Sequence, residues 1–209
     1  MSTFFPERQI ANAGLYADAY FERIAAATKT VSRDAIAAAG ELLAERAGQG
    51  RMIFSCGNGG SAAISNHLVC DCMKGVRSNG WLKPKVNSLS SAVELITAIV
   101  NDIGSDEMFS FQLTSMATQG DVLIAISSSG ASPNIVKALE TAREMKMATI
   151  AMTGFSGGDA ARLADVSLHV DAQNYGVIED VHQSLMHILA QYLRHSHLTD
   201  PSLLGTLKF

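Results

Sequence analysis

The sequence has few cysteines, no long apolar run and no excess of positive charge. Its 209 residues contain three cysteines, Cys56, Cys70 and Cys72, which are too few and too clustered for a disulfide scaffold. Because free thiols suit a reducing compartment, we expect a cytoplasmic protein. No apolar run approaches the roughly 20 residues that span a bilayer, and residues 1–8 lack the basic-then-apolar order of a signal peptide. These absences predict that the protein has no membrane partner.

The charge balance also argues against a nucleic-acid partner. The chain carries 16 basic and 20 acidic side chains, which give a net charge of −4, whereas binding to nucleic acid by bulk electrostatics needs a basic face. Hydrophobic residues make up 47% of the chain, enough for a continuous core, so intrinsic disorder is excluded as the main state. No linker or low-complexity tract divides the chain, and we expect one domain over residues 1–209.

The order of apolar segments predicts an α/β fold. Residues 1–48 are rich in alanine, and their apolar side chains recur at the spacing of two helices, over 14–28 and 31–47. Short apolar strands then alternate with helical stretches, which is typical of a parallel sheet covered on both faces. Strands are expected at 51–55, 121–126, 148–153 and 166–170, and later helices at 133–146, 159–163 and 177–194.

A glycine-rich loop, residues 57–61, joins the first predicted strand to a helix. Glycines let the backbone turn sharply and bring N–H groups close to a ligand, while the following helix adds its positive end. Ser61 is placed either to cap that helix or to donate its hydroxyl to an anion. Turns from strand to helix need glycine in any case, and the loop has neither the Walker pattern nor the dinucleotide fingerprint. Alone, it is a weak indication of anion binding.

A serine-rich loop follows the second predicted strand and strengthens that indication. Four hydroxyls lie within six residues, and with a helix end they form a neutral cradle suited to a phosphate monoester. The alternative is a solvated turn in which one serine caps the helix. Both loops lie at the carboxyl edge of the sheet, so together they favour a phosphorylated sugar as ligand. The four serines are Ser127, Ser128, Ser129 and Ser132.

Three segments together resemble the sugar-isomerase (SIS) domain family, and within it the bacterial phosphoheptose isomerases. They are the loop 57–61, the run 126–134 with 137–140 after it, and 153–158. The resemblance spans nearly the whole chain and implies a five-stranded flavodoxin-like sheet over residues 49–209. It also implies a homotetramer with active sites at subunit interfaces, in which the helices of residues 1–48 serve oligomerisation. The implied substrate contacts are Asn58, Gly59, Gly60, Ser61, Asp71, Asn101, Asp102, Ser127, Ser128, Ser129, Ser132 and Glu179.

Isomerisation of an aldose to a ketose needs a base near the reacting carbon and an acid or a metal at the carbonyl oxygen. His67 and Asp71 are four residues apart on a predicted helix and share one face. The resemblance implies that Asp71 is the general base and His187 the general acid. It further implies one Zn²⁺ per subunit, with His67, Asp71, Glu179 and His187 as candidate ligands.

The sequence departs from the family pattern at these positions. Asp71 stands where the family has Glu, and Glu179 where it has Gln. Glu179 and His187 are also about 12 Å apart along one helix, near the limit for sharing an ion. His182 is therefore the alternative ligand, unless it packs in the core or at an interface. Gly75 stands where the family usually places an arginine, a role that Arg77 or Lys74 could take over.

The resemblance implies conversion of sedoheptulose 7-phosphate to D-glycero-D-manno-heptose 7-phosphate, for the synthesis of lipopolysaccharide or capsule heptose. One alternative is a non-catalytic SIS module that binds a phosphosugar or a protein partner such as the replication initiator. A second alternative is an isomerase of a different phosphosugar, which the substitutions at residues 71, 75 and 179 suggest. A histidine at 67, a carboxylate at 71 and a histidine at 187 favour an enzyme over a scaffold.

Overall fold

A five-stranded parallel sheet forms the centre of the molecule, described by a computed structural model over residues 4–79, 82–206 and 208–209. The strands lie in the order β2-β1-β3-β4-β5, which is the flavodoxin-like order. This arrangement confirms the predicted fold class. The strands are β1 (Met52–Gly57), β2 (Lys85–Ser88), β3 (Val122–Ser127), β4 (Ala148–Thr153) and β5 (Val166–His169).

Helices cover both faces of the sheet. Strand β3 is buried along its whole length, and its side chains alternate between the two faces because successive residues of a strand point in opposite directions. Val122, Ile124 and Ile126 pack into one core cluster, and Leu123 and Ala125 into the other. The helices are α1 (Ala13–Thr30), α2 (Arg33–Gly48), α3 (Gly60–Cys70), α4 (Val93–Asp102), α5 (Ser110–Met116), α6 (Pro133–Glu144), α7 (Gly158–Leu163) and α8 (Tyr175–Ser196).

The chain reverses direction across the sheet between β1 and β3. Helix α3 follows β1 and buries Ile64 and Leu68 on the face that also holds α1, α2 and α8. Helix α6 follows β3 and buries Ile135 and Leu139 on the opposite face. Ligands of open α/β sheets bind at such a switch point, beyond the carboxyl ends of the strands. The loops that leave β1 and β3 are the glycine-rich and serine-rich loops of the sequence.

The predicted helices and strands agree with the structure to within a few residues, but three elements were not located from the residues. The chain forms a 3₁₀ turn at Val76–Asn79 and begins β2 at Lys85; residues 80–81 lie outside the described part. Strand β2 is a short edge strand with two polar side chains, and α4 buries only Ile99. Helix α5 was missed as well. In the part of the chain that the structure describes, no helix is both long and apolar enough to cross a membrane.

Candidate active site

A cavity of about 120 Å³ lies between the glycine-rich and serine-rich loops at the switch point, and we call it the loop cavity. It brings together all five serines that were predicted to surround a phosphate, together with side chains from the first turns of α8. None of the described residues that line it is a lysine or an arginine. The lining residues are Asn58, Ser61, Ile126, Ser127, Ser128, Ser129, Ser132, Tyr175 and Glu179.

The serine hydroxyls of the loop cavity differ in how they are already used. The Oγ atoms of Ser127 and Ser129 accept hydrogen bonds from the backbone N–H groups of Gly130 and Ala131, at 3.1 and 3.3 Å. Ser132 occupies the N-cap position of α6, yet its side chain makes no capping hydrogen bond. Ser128 Oγ is buried and has no partner among the described residues. Because a buried hydroxyl without a partner is costly, the cavity has hydrogen-bonding capacity to offer a ligand.

Glu179 places a carboxylate at this neutral cradle. It approaches α3 so closely that a methyl group at Gly60 would collide with its carboxyl group and displace it. Burial, and secondarily the charge of Asp180, raises the pKa of Glu179 above its ordinary value. The carboxylate therefore takes up a proton more readily than a solvated glutamate does.

The remaining predicted substrate residues are in different surroundings. The side-chain amides of Asn58 and Asn134 exchange two hydrogen bonds of 3.0 Å, which tie the two loops together. Gly59 precedes α3 with a φ of 54°, a conformation that favours glycine. Asn101 and Asp102 are exposed residues that end α4, and neither lines the loop cavity. Their contact with substrate stays a prediction.

A second group of side chains lies between α3 and α8. Asp71 Oδ2 is 2.8 Å from His187 Nδ1, and Asp71 Oδ1 is 3.3 Å from His67 Nε2. Ligand atoms of these three residues all lie within 4.8 Å of one another. Two imidazoles and a carboxylate are a donor set that suits Zn²⁺, and three protein ligands leave the open position that is typical of catalytic zinc sites. The structure thus brings together three of the four predicted ligands.

Gln183 belongs to the same group and was missed from the sequence. Its side-chain amide nitrogen lies 3.0 Å from His67 Nδ1 and 2.9 Å from His187 Nε2. Since an amide N–H donates, both of these ring nitrogens act as acceptors, which leaves the ring N–H groups facing Asp71. Gln183 is four residues before His187 and so shares its helix face, a spacing that could have indicated it. We call His67, Asp71, Gln183 and His187 the acid–base cluster.

Asp71 lies at the start of an unusual turn. Helix α3 ends at Cys70, and Asp71–Gly75 form a π-helical turn that directly follows it. The backbone N–H of Val76 donates to the carbonyl of Asp71, five residues earlier. Single π-helical turns are rare and occur frequently at functional sites. Asp71 begins this turn, and its largely buried carboxylate faces α8.

Glu179 and His182, the other predicted ligands on α8, lie outside this cluster. Glu179 is not among the residues whose ligand atoms group within 4.8 Å, and it lines the loop cavity instead. His182 is fully buried, and its Nε2–H donates to the carbonyl of Thr153 at 3.1 Å. Burial lowers the pKa of His182 to about 4. His182 therefore follows the core-packing alternative, as a neutral side chain.

His182 should make folding stability fall in mild acid. Between the unfolded pKa of 6.5 and the folded value of about 4, the unfolded chain binds a proton that the folded protein does not. The free energy of unfolding should therefore fall by about 3 kcal/mol as the pH drops through this interval. Urea unfolding at pH 7 and pH 4 measures it. We expect His182→Gln to reduce the drop, and His195→Gln, at an exposed residue, to leave it unchanged; equal drops in both variants would contradict this assignment.

The three cysteines are free. Cys56 is buried, which raises the pKa of its thiol, and burial also raises the pKa of Cys72 to about 12. Cys70 is exposed, and none of the three joins the acid–base cluster. Cys56 and Cys72 are therefore inert packing residues.

Comparisons with known proteins place the chain among sugar isomerases. A model of the SIS domain matches residues 16–154. The phosphoheptose isomerase of Bordetella avium is 41% identical over 158 residues, which cover 74% of this chain and 79% of the relative. The phosphoheptose isomerase of Nitratidesulfovibrio vulgaris is 36% identical over 147 residues, 70% of each chain. The structure of the phosphoheptose isomerase from Neisseria gonorrhoeae matches with a TM-score of 0.80 at 30% identity, covering 87% of this chain and 98% of that one.

Proposed function

The chain belongs to the SIS-domain family, and on that premise we propose that it is a phosphoheptose isomerase. It converts sedoheptulose 7-phosphate to D-glycero-D-manno-heptose 7-phosphate, and its product serves the synthesis of lipopolysaccharide or capsule heptose. The names of relatives that are 36 and 41% identical to this chain support the reaction. The acid–base cluster supports an enzyme over a non-catalytic binding module, which would not need a base and an acid.

The observation that carries the proposal is that one helix contributes to both parts of the site. Glu179 on α8 lines the loop cavity, and His187 on the same helix holds Asp71 at 2.8 Å. The eight residues between them correspond to about 12 Å of helix. An extended seven-carbon sugar can span this distance with its phosphate among the serines and its C1 and C2 near Asp71.

In this arrangement Asp71 removes a proton from C1 of the ketose while His187 delivers a proton to the oxygen on C2. The resulting enediol then receives a proton on C2 from Asp71, and the hydroxyl on C1 returns its proton to His187, which completes the aldose. The amide of Gln183 contacts both imidazoles, and Asp71 contacts His187, so the carboxylate and the imidazole are held next to each other. Both proton-transfer groups are therefore oriented before substrate arrives.

We propose that His67, Asp71 and His187 hold one Zn²⁺ per subunit. When bound, the ion supplies Lewis-acid polarisation of the substrate carbonyl. The donor atoms within 4.8 Å of one another support this assignment.

The proposal extends to a cytoplasmic homotetramer in which residues 1–48 serve oligomerisation and the whole chain is one domain. Exposed apolar side chains support association: Leu15 and Phe21 on α1 and Val93 and Val100 on α4 are 42 to 64% exposed. Surfaces of this kind favour burial against a second subunit. Sedimentation equilibrium measures the assembly, and a monomer at micromolar concentration would contradict it.

The direct experiment incubates the purified protein with sedoheptulose 7-phosphate, after chelation and again after addition of Zn²⁺. We expect turnover in the presence of Zn²⁺ and a strong loss after chelation, since the Lewis acid is removed. Product is measured by ion-exchange chromatography. If the folded protein gives no product under either condition, the proposed reaction is wrong. The remaining functions would then be a non-catalytic phosphosugar-binding module or an isomerase of a different phosphosugar.

Glu179→Gln should strengthen substrate binding at high pH. The carboxylate repels the phosphate, so its removal should lower KM by about fivefold at pH 8, equivalent to roughly 1 kcal/mol. The pKa of Glu179 is raised, so the wild type should approach the variant as the pH falls and the carboxyl group is protonated. Steady-state kinetics at pH 8 and at successively lower pH measure the difference.

The control for this variant is Glu41→Gln, an exposed glutamate on α2, which should leave KM unchanged. Zn²⁺ content should be the same in the wild type and in Glu179→Gln, because Glu179 lies outside the acid–base cluster. Loss of zinc would instead make Glu179 a metal ligand. A KM at pH 8 that stays the same or rises would contradict the repulsion.

A further inference from the structure

The π-helical turn that presents Asp71 is covered by an aromatic ring that the proposed mechanism does not use. A methyl group added at Gly75, the last residue of the turn, would lie 3.0 Å from Cζ and 3.1 Å from Cε2 of Phe209. The ring therefore lies directly on the backbone of Gly75. Phe209 is half-buried and packs against the core cluster between the sheet and α8.

Arg194 holds this ring in place. Its Nη1 donates to the carbonyl of Lys208 at 2.7 Å, and its guanidinium carbon lies 6.0 Å from the centre of the Phe209 ring. Arg194 is only 9% exposed, and a buried arginine is costly unless its N–H groups are satisfied. The hydrogen bond and the cation–π contact therefore fix residues 208–209 against α8.

Helix α8 thus contacts the π-helical turn at both ends. His187 and Arg194 are seven residues apart, about two turns, so they lie on the same helix face. His187 bonds to Asp71, the first residue of the turn, and Arg194 reaches Gly75, the last residue, through Phe209. The five-residue turn is held between these two contacts.

We propose that Phe209, anchored by Arg194, is a positioning residue for Asp71. A π-helical turn is less favourable than the α-helix that precedes it, and the hydrogen bond from Val76 to Asp71 must be maintained by the surroundings. The ring on Gly75 holds the far end of the turn, so without it the hydrogen bond from Val76 to Asp71 should open more often and the Asp71 carboxylate should be held less firmly beside His67 and His187. This role rests on the proposed function of Asp71 as the base.

The test replaces Phe209 with alanine and uses two measurements. Hydrogen exchange of the peptide over residues 71–77 should become at least about tenfold faster, while the peptide of β3 is unchanged. The kcat with sedoheptulose 7-phosphate should fall about 10- to 100-fold at nearly constant KM, because the base is displaced but the loop cavity is not. Phe209→Leu, which keeps apolar bulk, should recover most of the kcat.

Gly75→Ala provides a second, independent variant. Gly75 is not among the residues with positive φ, so alanine suits its backbone, but the added methyl group displaces the ring. In the wild type this substitution should lower kcat as Phe209→Ala does. In the Phe209→Ala protein, where the ring is gone, the same substitution should lower kcat by less than a further factor of about two. Such non-additivity identifies the contact between the two residues.

Leu204→Ala is the matched control, since Leu204 lies in the same segment and is 54% exposed. It should change neither exchange nor kcat. The proposal would be overturned if hydrogen exchange over residues 71–77 were as slow in Phe209→Ala as in the wild type. It would also be overturned if Gly75→Ala lowered kcat by the full factor both in the wild type and in the Phe209→Ala protein. If the wild type itself does not turn over sedoheptulose 7-phosphate, the proposed function fails, while the exchange measurement still decides the role of Phe209.

Discussion

Asp71→Asn should lower kcat by at least about 10³-fold while the protein stays folded. The amide keeps the size of the side chain but cannot accept the proton from C1, and general bases of this kind contribute about 10²- to 10⁴-fold. The loss should be larger than from base removal alone, because the amide is also a poorer zinc ligand than the carboxylate. Steady-state turnover of sedoheptulose 7-phosphate and zinc content together measure both effects.

Two variants accompany this substitution. Asp71→Glu restores a carboxylate on a longer stem, and we expect it to keep far more activity than Asp71→Asn. Asp34→Asn removes an exposed carboxylate at the start of α2 and should leave kcat unchanged. Activity within tenfold of the wild type in Asp71→Asn would refute the assignment of Asp71 as the base.

Ser132→Asp should raise KM by at least about 100-fold with little loss of stability. A carboxylate in the loop cavity repels the phosphate at close range, in surroundings that screen charge less than bulk water does. Aspartate is also a preferred N-cap residue and favours the positive end of a helix, so α6 should remain intact. Thermal unfolding and saturation kinetics of the same preparation separate the two effects.

Ser32→Asp is the matched control. Ser32 is the N-cap of α2, where its side chain accepts a hydrogen bond from the N–H of Ala35, and it does not line the loop cavity. It should leave KM unchanged. A similar KM in Ser132→Asp and wild type would show that the phosphate binds elsewhere.

The sequence predicted the parts of the fold that depend on local pattern. Apolar segments followed by Gly57 or by Ser127 located β1 and β3 and both loops, because buried parallel strands are nearly continuous apolar runs. Strand β2 is a half-exposed edge strand with polar residues such as Lys85 and Asn87, so no apolar run indicated it. Its position follows only from pairing with β1.

The sequence predicted most of the residues that form the site, but not which of them lie together in the loop cavity and which in the acid–base cluster. The spacing of His67 and Asp71 indicated one helix face, and the structure brings His187 to the same carboxylate. The resemblance placed Glu179 with the metal, whereas its carboxylate lies against Gly60 at the loop cavity, and Gln183 is the α8 residue that contacts both histidines. Which residues of α8 face the loop cavity and which face the acid–base cluster depends on how the helix packs across the sheet. Helical spacing alone does not determine that packing.

The most direct test of the central claim, proton transfer through an enediol at Asp71, is isomerisation in D₂O followed by NMR. With Zn²⁺ present, the wild type should convert sedoheptulose 7-phosphate to the heptose 7-phosphate, with deuterium at C2 in those turnovers in which protonated Asp71 exchanges with solvent before it returns its proton, and Asp71→Asn should give no conversion. Unchanged substrate with folded, zinc-loaded wild-type protein, or equal conversion by the variant, would contradict the account.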